Sequence, residues 1–433
     1  MYHMLKKKKA LVLSGGGTRG AYENGAVRAL CELGEDDWDL VTGTSIGALN
    51  GAVIVQKDYE ALSGLWDSLK KEDVVNGDIP NDFTWESLFN NVGMRVLFKQ
   101  YVHGGTDVSP MQDLIGRMFD PDAFLTSPVD FGCVTVQFPT LRPVYVTKDM
   151  MREDGRDWLV ASASAYPVFP VHRFAKGEFI DGGYYDNLPV DEALRMGAEE
   201  VIAVDLHHRP QHPQLMDRTP VTYICPTIET GTFLNFDRDK LNALDICGYY
   251  DVMKVYGRYS GYAYTFEKTS LPDWFEDYER KLILLENNAA RSGAVSDLLR
   301  SDQPVYDRIR ERQNRKVLSR ENLFFGLMDE LMNLCGCDVR KVWDYRTAMD
   351  TVLASYAPCA YEDYEMDASL ANVDLRNYFG RSDTGKIVGS LVHMSLYPEH
   401  TVISPRSVYA LYPYEKALAD FVVKLMYELG RHR

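Results

Sequence analysis

The chain of 433 residues is long enough for one large domain with additions, or for two to three domains. Its 47 Lys and Arg residues against 63 Asp and Glu residues give a net charge of −16, which argues against nucleic-acid binding and against a purely electrostatic hold on anionic membranes. Hydrophobic residues make up 45% of the sequence, and no stretch approaches the roughly 20 uninterrupted apolar residues of a membrane-spanning helix.

The basic run at residues 6–9 and the cysteines indicate the compartment. Only four apolar residues follow the basic run, too few for the hydrophobic part of a signal peptide, so we expect a cytoplasmic protein. The seven cysteines are scattered and odd in number, and only Cys335 and Cys337 lie close together. Because this is not the paired spacing of a zinc site, we expect reduced thiols and no bound metal or cofactor.

Two β–α units are predicted in the first sixty residues. A strand at residues 8–13 leads through a glycine-rich loop into a helix over residues 21–33. A second strand at residues 40–42 leads through a sharp turn into a helix that follows Ser45. Consecutive β–α units predict a parallel sheet that is covered by helices on both faces.

The middle of the chain continues this α/β pattern. An aromatic-rich stretch at residues 83–98 is interpreted either as part of a substrate pocket or as an ordinary packing segment. The predicted elements are helices over 59–69, 109–119, 157–165, 190–196 and 241–264, and strands at 130–136, 142–147, 177–181 and 198–205, of which the first two strands should pair.

From about residue 270 onward the pattern is helical, without a strand pattern. We therefore divide the chain into an α/β catalytic domain over residues 1–268 and a helical accessory region over residues 269–433, whose role is unknown. The predicted helices of the second part lie near 275–290, 296–314, 321–335, 338–355 and 405–430, with loops at 363–370 and 380–385.

Ser45 is the candidate nucleophile. It stands in Gly43-Thr44-Ser45-Ile46-Gly47, between a predicted strand and helix, as in a nucleophile elbow. Glycines two residues before and after the serine are required, because side chains there would collide with the neighbouring strand and helix. The pattern alone is weak, since chance gives it roughly 0.15 times in a chain of this length.

The glycine-rich segment at residues 14–20 is a candidate oxyanion hole. It lies between a strand and a helix, so its backbone N–H groups can point into a cavity where negative charge is favoured. The same glycines also fit the fingerprint of a dinucleotide-binding loop, which requires an acid at the end of the second strand. The chain has Thr42 and Gly43 there, so nucleotide binding is the weaker interpretation.

Asp181 is a candidate base, because the turn formed with Gly182 and Gly183 places a carboxylate at the end of a strand. Taken alone, this pattern is more often an ordinary tight turn. No histidine stands in an equally suggestive setting, and a metal site formed by the loop histidines lacks a matching acid or thiol cluster. A Ser–Asp–His hydrolase that uses His207 or His208 remains an alternative; His172 and His212 are considered as well.

The three motifs in this order resemble the patatin-like phospholipase family: G-G-G-x-R-G at 15–20, G-T-S-I-G at 43–47 and D-G-G at 181–183. The small-residue block at 161–167 and the N-x-P segment that begins at Asn187 are also similar to the family. The resemblance covers about residues 8 to 265. It implies an α/β fold with a three-layer patatin-like core, in which helices flank a mostly parallel central sheet.

The resemblance further implies a Ser–Asp dyad without histidine, with Ser45 as nucleophile and Asp181 as base. The implied oxyanion hole is Gly15, Gly16, Gly17, Thr18, Arg19 and Gly20, the elbow adds Gly43, Thr44, Ile46 and Gly47, and the aspartate turn adds Gly182 and Gly183. We expect Ile46 to assist the oxyanion hole and Arg19 to anchor the loop rather than to contact substrate.

The implied activity is hydrolysis of carboxylic ester bonds in phospholipids or related acyl lipids through an acyl-serine intermediate. The expected partners are the acyl lipid and, transiently, a membrane surface; the resemblance implies no cofactor and no nucleic acid. The alternatives are a Ser–Asp–His esterase and a catalytically silent lipid-binding module.

Overall fold

The computed structural model describes residues 7–77, 106–216, 220–291, 304–366, 383–400 and 412–430. The aromatic-rich stretch at 83–98 lies outside the described residues. The chain divides into two compact units, Met1–Val255 and Tyr256–Arg433, and the predicted boundary after residue 268 falls inside the second unit.

An eight-stranded sheet forms the centre of the first unit. The strands are β1 (Lys9–Leu13), β2 (Leu40–Thr44), β3 (Asp130–Gln137), β4 (Arg142–Thr147), β5 (His172–Phe174), β6 (Gly177–Asp181), β7 (Glu200–Val204) and β8 (Val221–Ile224). Their order is β5-β6-β3-β2-β1-β7-β8, and β4 pairs with β3. The pairs from β3 through β2, β1 and β7 to β8 are parallel, whereas β4, β5 and β6 join in antiparallel pairs. The predicted mostly parallel sheet is confirmed.

Eight helices belong to the described part of this unit. They are α1 (Gly20–Leu33), α2 (Ile46–Val55), α3 (Tyr59–Ser68), α4 (Ser109–Met118), α5 (Pro121–Thr126), α6 (Met151–Ser162), α7 (Val190–Arg195) and α8 (Arg238–Val255). The prediction missed α5 and β8, and it was wrong to extend α8 to residue 264. Gly257, which has a φ of 68°, follows the end of α8, and a left-handed glycine is a common helix stop.

The residues of β1 are buried on both faces of the sheet, as expected for a central parallel strand. Ala10 and Val12 pack in one cluster with Ala193 of α7. On the opposite face, α2 approaches Val41 so closely that a side chain on Gly51 would contact it at 3.0 Å. Helices therefore cover both faces, and the predicted three-layer architecture is confirmed.

The two edges of β3 determine where the candidate site lies. β4 occupies one edge of β3 along residues 132–137. On the other edge, β2 pairs as far as Thr44 opposite Val134, and β6 then pairs with Thr135 through Asp181. The residue after β2 and the last residue of β6 therefore meet beside the middle of β3.

The second unit consists mainly of helices, as predicted. They are α9 (Phe275–Arg291), α10 (Val305–Arg312), α11 (Arg320–Leu334), α12 (Tyr345–Tyr356), α13 (Thr384–Leu396) and α14 (Pro413–Glu428). The aromatic rings of Phe275, Phe324 and Phe421 pack against one another in its core. Among the helices of the described residues, none combines the length and the apolar composition needed to cross a lipid bilayer.

Three expectations for the second unit were wrong. The helix predicted near 338–355 begins only at Tyr345 (α12), because residues 342–343 form a strand. A small sheet is present, formed by β9 (Ser260–Gly261), β10 (Thr265–Phe266) and β11 (Val342–Trp343), because strands of two residues are too short to show an alternating pattern. The predicted loop at 380–385 contains the start of α13. Asp383 accepts a hydrogen bond from the Gly385 N–H and so caps this helix, and capping residues are also typical of turns.

The packing of α1 against α8 predicts the effect of one added methyl group. A side-chain carbon on Gly248 would lie 2.0 Å from the Tyr22 carbonyl oxygen, a backbone atom that cannot move aside. Gly248→Ala should lower the free energy of unfolding by about 1–3 kcal/mol in chemical denaturation. Gly64→Ala, on the exposed face of α3 with open space around it, is the control and should raise it by about 0.5–1 kcal/mol. Equal free energies of unfolding for the two variants would contradict this packing.

Candidate active site

Ser45 occupies the sharp turn between β2 and α2. Its φ of 55° and ψ of −124° are unusual for a residue with a side chain, and such backbone strain is concentrated at functional sites. A side-chain carbon on Gly43 would lie 2.4 Å from the Gly47 carbonyl oxygen, and one on Gly47 would lie 2.5 Å from the Leu13 carbonyl oxygen. The turn can therefore form only with glycine at both positions.

A second serine, Ser162, anchors this turn by a hydrogen bond. The Ser45 N–H donates a hydrogen bond of 3.0 Å to the Ser162 hydroxyl, which donates in turn to the Val134 carbonyl at 2.7 Å. Ser162 is buried at the end of α6. The sequence analysis assigned no role to Ser162, because a serine in a small-residue helix carries no signal of a contact 117 residues away.

Asp181 lies at the end of β6 and is 6% exposed. Its carboxylate accepts hydrogen bonds from the Ser45 hydroxyl and, at 2.8 Å, from the Gly183 N–H. Burial raises the pKa of Asp181 to about 6, and the two hydrogen bonds offset only part of that increase. The structure thus brings together the two residues that the sequence predicted as nucleophile and base. At the neighbouring Gly182, a side-chain carbon would lie 2.2 Å from the Val134 carbonyl oxygen.

The glycine loop has fewer available donors than predicted. Four of the six predicted N–H groups already donate to backbone carbonyls: Gly15 to Asn187, Thr18 to Phe233, Arg19 to Gly16, and Gly20 to Gly17 and Thr18. Within the described residues, the N–H groups of Gly16 and Gly17 have no such acceptor. Ile46 begins α2, so its N–H also lacks an acceptor inside the helix.

The loop is anchored to the segment at residues 231–235. Arg19 donates hydrogen bonds of 3.1 and 2.8 Å to the Gly231 carbonyl from two guanidinium nitrogens. The Thr18 hydroxyl donates to the Phe233 carbonyl at 3.2 Å and accepts from the Asn235 N–H at 3.0 Å. These side chains hold the loop in place, which is the part expected of Arg19.

Ser45 lines two cavities of different character. A polar cavity contains Asp181 and the glycine loop, and an apolar cavity extends beside α2 and α4. The polar cavity also includes Arg19, Tyr184, Asn187, His207 and Gln211. The apolar cavity includes Leu49, Val53, Leu65, Trp66, Leu69, Met111, Leu114, Ile115, Met118 and Phe119. A ligand bound at Ser45 can therefore place an apolar part in one cavity and a polar part in the other.

The histidines differ in their positions. His207 lines the polar cavity, and its Nδ1 lies 2.9 Å from Asp205 Oδ1. His208 Nδ1 lies 3.1 Å from the Pro226 carbonyl oxygen, and His172 pairs with Asp157 at 2.9 Å. His172, His208 and His212 line neither cavity around Ser45.

Asn187 is a further site residue, and the N-x-P motif is the sequence signal that marks it. Its side-chain amide donates to the Gly15 carbonyl at 3.1 Å and to Gln211 Oε1 at 3.2 Å. A side-chain carbon on Gly15 would lie 2.3 Å from Asn187 Oδ1, which explains why this loop position has no side chain. Gln211 carried no sequence signal, because only the fold brings it to the loop.

Residues 11–194 match one protein-family model, described as Patatin-like phospholipase. The chain is similar to the lysophospholipase NTE1 of Scheffersomyces stipitis, with 32% identity over 215 residues that cover 49% of this chain and 12% of the relative. It is also similar to patatin-like phospholipase domain-containing protein 7 of Mus musculus, with 30% identity over 217 residues that cover 47% of this chain and 14% of the relative. The chain spans less than a sixth of the length of either relative.

Two solved structures align with most of the chain. VipD from Legionella pneumophila aligns with a TM-score of 0.39 and 12% identity, covering 96% of this chain and 92% of that protein. The type III effector ExoU aligns with a TM-score of 0.32 and 15% identity, covering 99% of this chain and 90% of that protein.

The burial of Asp181 predicts how its removal affects stability. Because its pKa is raised in the folded state, the stability that the protonated carboxyl contributes is present at low pH and is lost as pH rises through about 6. Asp181→Asn should therefore raise the free energy of unfolding at pH 8 by up to about 3 kcal/mol relative to the unsubstituted protein, with roughly half of that gain at pH 5. Urea denaturation at both pH values measures this difference.

Ser68→Ala is the control, because it changes an exposed residue of α3 that carries no titratable group, so its effect on stability should be the same at both pH values. If Asp181→Asn changed the free energy of unfolding by the same amount at pH 5 and pH 8, this would contradict a buried Asp181 carboxyl with a raised pKa.

Proposed function

We propose that the chain is a member of the patatin-like phospholipase family, whose model matches residues 11–194, and that it hydrolyses carboxylic ester bonds of phospholipids or related acyl lipids with Ser45 and Asp181. The observation that carries this proposal is the contact of the Ser45 hydroxyl with the buried Asp181 carboxylate, at the junction of an apolar and a polar cavity. An ester carbonyl at that junction places its acyl chain in the apolar cavity and its alcohol part in the polar cavity.

In the first step, the Asp181 carboxylate accepts the hydroxyl proton while Ser45 Oγ attacks the ester carbonyl carbon. A pKa of about 6 leaves this carboxyl ionised at neutral pH and makes it a stronger base than an ordinary aspartate. The oxyanion that forms accepts hydrogen bonds from the N–H groups of Gly16, Gly17 and Ile46, and each donor contributes about 3–4 kcal/mol of transition-state stabilisation. Asp181 then returns the proton to the leaving alkoxide, and acyl-Ser45 remains.

In the second step, water replaces the alcohol in the polar cavity. Asp181 accepts a proton from the water molecule as its oxygen attacks the acyl carbonyl, and the same N–H groups bind the second oxyanion. When this intermediate collapses, the carbonyl–Oγ bond breaks, Ser45 regains its proton from Asp181, and the fatty acid leaves. One carboxylate therefore serves both half-reactions.

The geometry favours the dyad over the alternative triad. The hydroxyl of Ser45 already donates to Asp181, whereas the Nδ1 of His207 is bound to a different carboxylate, Asp205. His207 is still the candidate base of the alternative, because it lines the same polar cavity as Ser45. The contact between an intact nucleophile and base speaks against a catalytically silent binding module. The cytoplasmic location and the membrane contact stay predictions.

The dyad predicts the effect of three substitutions on hydrolysis of a chromogenic ester. Ser45→Ala and Asp181→Asn should each lower kcat/KM by at least about a thousandfold, because each removes a group that acts in the transition state. Asp186→Asn changes a half-buried aspartate in the same loop that does not contact the nucleophile, and it should retain activity.

Circular dichroism must show all three variants folded. Activity that survives Asp181→Asn but is lost in His207→Asn would overturn the dyad in favour of the Ser–Asp–His mechanism.

A further inference from the structure

The polar cavity contains a histidine that the proposed mechanism does not use. We propose that His207 binds the phosphate of a lipid head group, so that the site selects phosphate-bearing acyl lipids over neutral acylglycerols. The inference rests on the proposed function and adds to it a residue that recognises the substrate class. His207 lies beyond the segment at residues 11–194 that the family model matches.

Asp205, a buried carboxylate, fixes the orientation of the His207 ring. Asp205 is fully buried at the end of β7 and accepts hydrogen bonds from His207, Gln211 and Tyr223. Burial acts to raise the pKa of Asp205, but these hydrogen bonds outweigh it and hold the pKa below its ordinary value. The Asp205 carboxylate therefore lies 2.9 Å from His207 Nδ1 and orients the ring.

This orientation leaves the other ring nitrogen for a ligand. With Nδ1 donating to Asp205, Nε2 is on the opposite side of the ring, and within the described residues no acceptor or donor contacts it. The side chain of His207 is 34% exposed and lines the cavity that contains Ser45. When Nε2 carries a proton, the ring is a cation between two anions, Asp205 and a phosphate oxygen, and both of its N–H groups have an acceptor.

The histidine is connected to the glycine loop by hydrogen bonds. Gln211 donates to Asp205 at 2.8 and 2.9 Å and accepts from Asn187, which also donates to the Gly15 carbonyl. The Leu206 N–H donates to the Ser14 hydroxyl at 2.9 Å. The position of the imidazole is therefore fixed relative to the site where the ester carbonyl binds.

The charges around the cavity explain the selectivity. The Asp181 carboxylate repels a phosphate. The positive charge of the Arg19 guanidinium, which lines the cavity and keeps its hydrogen bonds to the Gly231 carbonyl, counteracts this repulsion. His207 adds a donor that can contact the phosphate directly. A neutral acylglycerol presents only hydroxyl groups to this cavity, so it gains no charge-assisted hydrogen bond.

The test measures binding of ether lipids, which the enzyme cannot hydrolyse, by titration calorimetry at neutral pH. Two octyl glyceryl ethers are compared below their micelle concentrations, one with a phosphate on the terminal hydroxyl and one without it. The intact protein should bind the phosphate-bearing ether at least about tenfold more tightly, the value of one charge-assisted hydrogen bond. Inorganic phosphate alone should bind at least about tenfold more weakly than the phosphate-bearing ether, because it lacks the acyl contacts.

Three variants separate recognition from structure. His207→Asn retains an amide donor near the position of Nδ1 but removes Nε2, and it should reduce the tenfold preference to less than about threefold. His207→Gln places an amide near Nε2 and should restore part of the preference. His208→Asn changes the neighbouring histidine, which faces the Pro226 carbonyl outside the cavity, and should keep the full preference.

An unchanged preference in His207→Asn, or equal affinity for the two ethers in the intact protein, would overturn the inference. Inorganic phosphate that binds as tightly as the phosphate-bearing ether would also overturn it and assign the cavity to free phosphate. Because ethers are not cleaved, these affinities do not depend on turnover. Failure of the Ser45–Asp181 mechanism would instead appear in the ester kinetics.

Discussion

The meeting of Ser45 with Asp181 beside the middle of β3 is the constraint on which the site depends. It arises because β2 and β6 share one edge of β3, with Thr44 opposite Val134 and Asp181 opposite Thr135. The parallel strand β2 ends beside the residue of β3 at which pairing with the antiparallel strand β6 begins. Two residues that are 136 positions apart in the sequence are thereby brought into contact. The glycines of both turns follow from this arrangement, since side chains there would overlap backbone atoms of the adjoining strands and helix.

The same contact has an energetic cost that links stability to chemistry. A carboxyl that is 6% exposed loses hydration, and its raised pKa measures that loss after hydrogen bonds from Ser45 and Gly183 are included. Ser45 adds backbone strain of order 1–3 kcal/mol. Asp205, which orients the His207 ring, is shifted in the opposite direction, because its hydrogen bonds outweigh its burial and lower its pKa. The donors around these two buried aspartates thus leave their pKa values shifted in opposite directions.

Much of this site was predictable from sequence, because its motifs are set by local geometry. The elbow around Ser45 requires glycine at 43 and 47, and the turn after Asp181 requires glycine at 182. These glycines therefore identify both turns in the sequence. The sequence predicted more available N–H groups in the glycine loop than the structure leaves unbonded, because which of them donate depends on distant partners such as Phe233. Ser162 and Gln211 could not be found, since their contacts exist only once strands and helices pack. The small sheet around β10 was missed because its strands are too short to show an alternating pattern.

The claim that Asp181 acts as the base of Ser45 is tested most directly by the pH dependence of the rate at which a fluorophosphonate labels Ser45. The account predicts a rate that rises with pH through a midpoint of about 6 and then stays constant, since Asp181 must be ionised to accept the proton. In Asp181→Asn, labelling should be slow and this midpoint should disappear. A midpoint that persists in Asp181→Asn and disappears in His207→Asn would contradict the account.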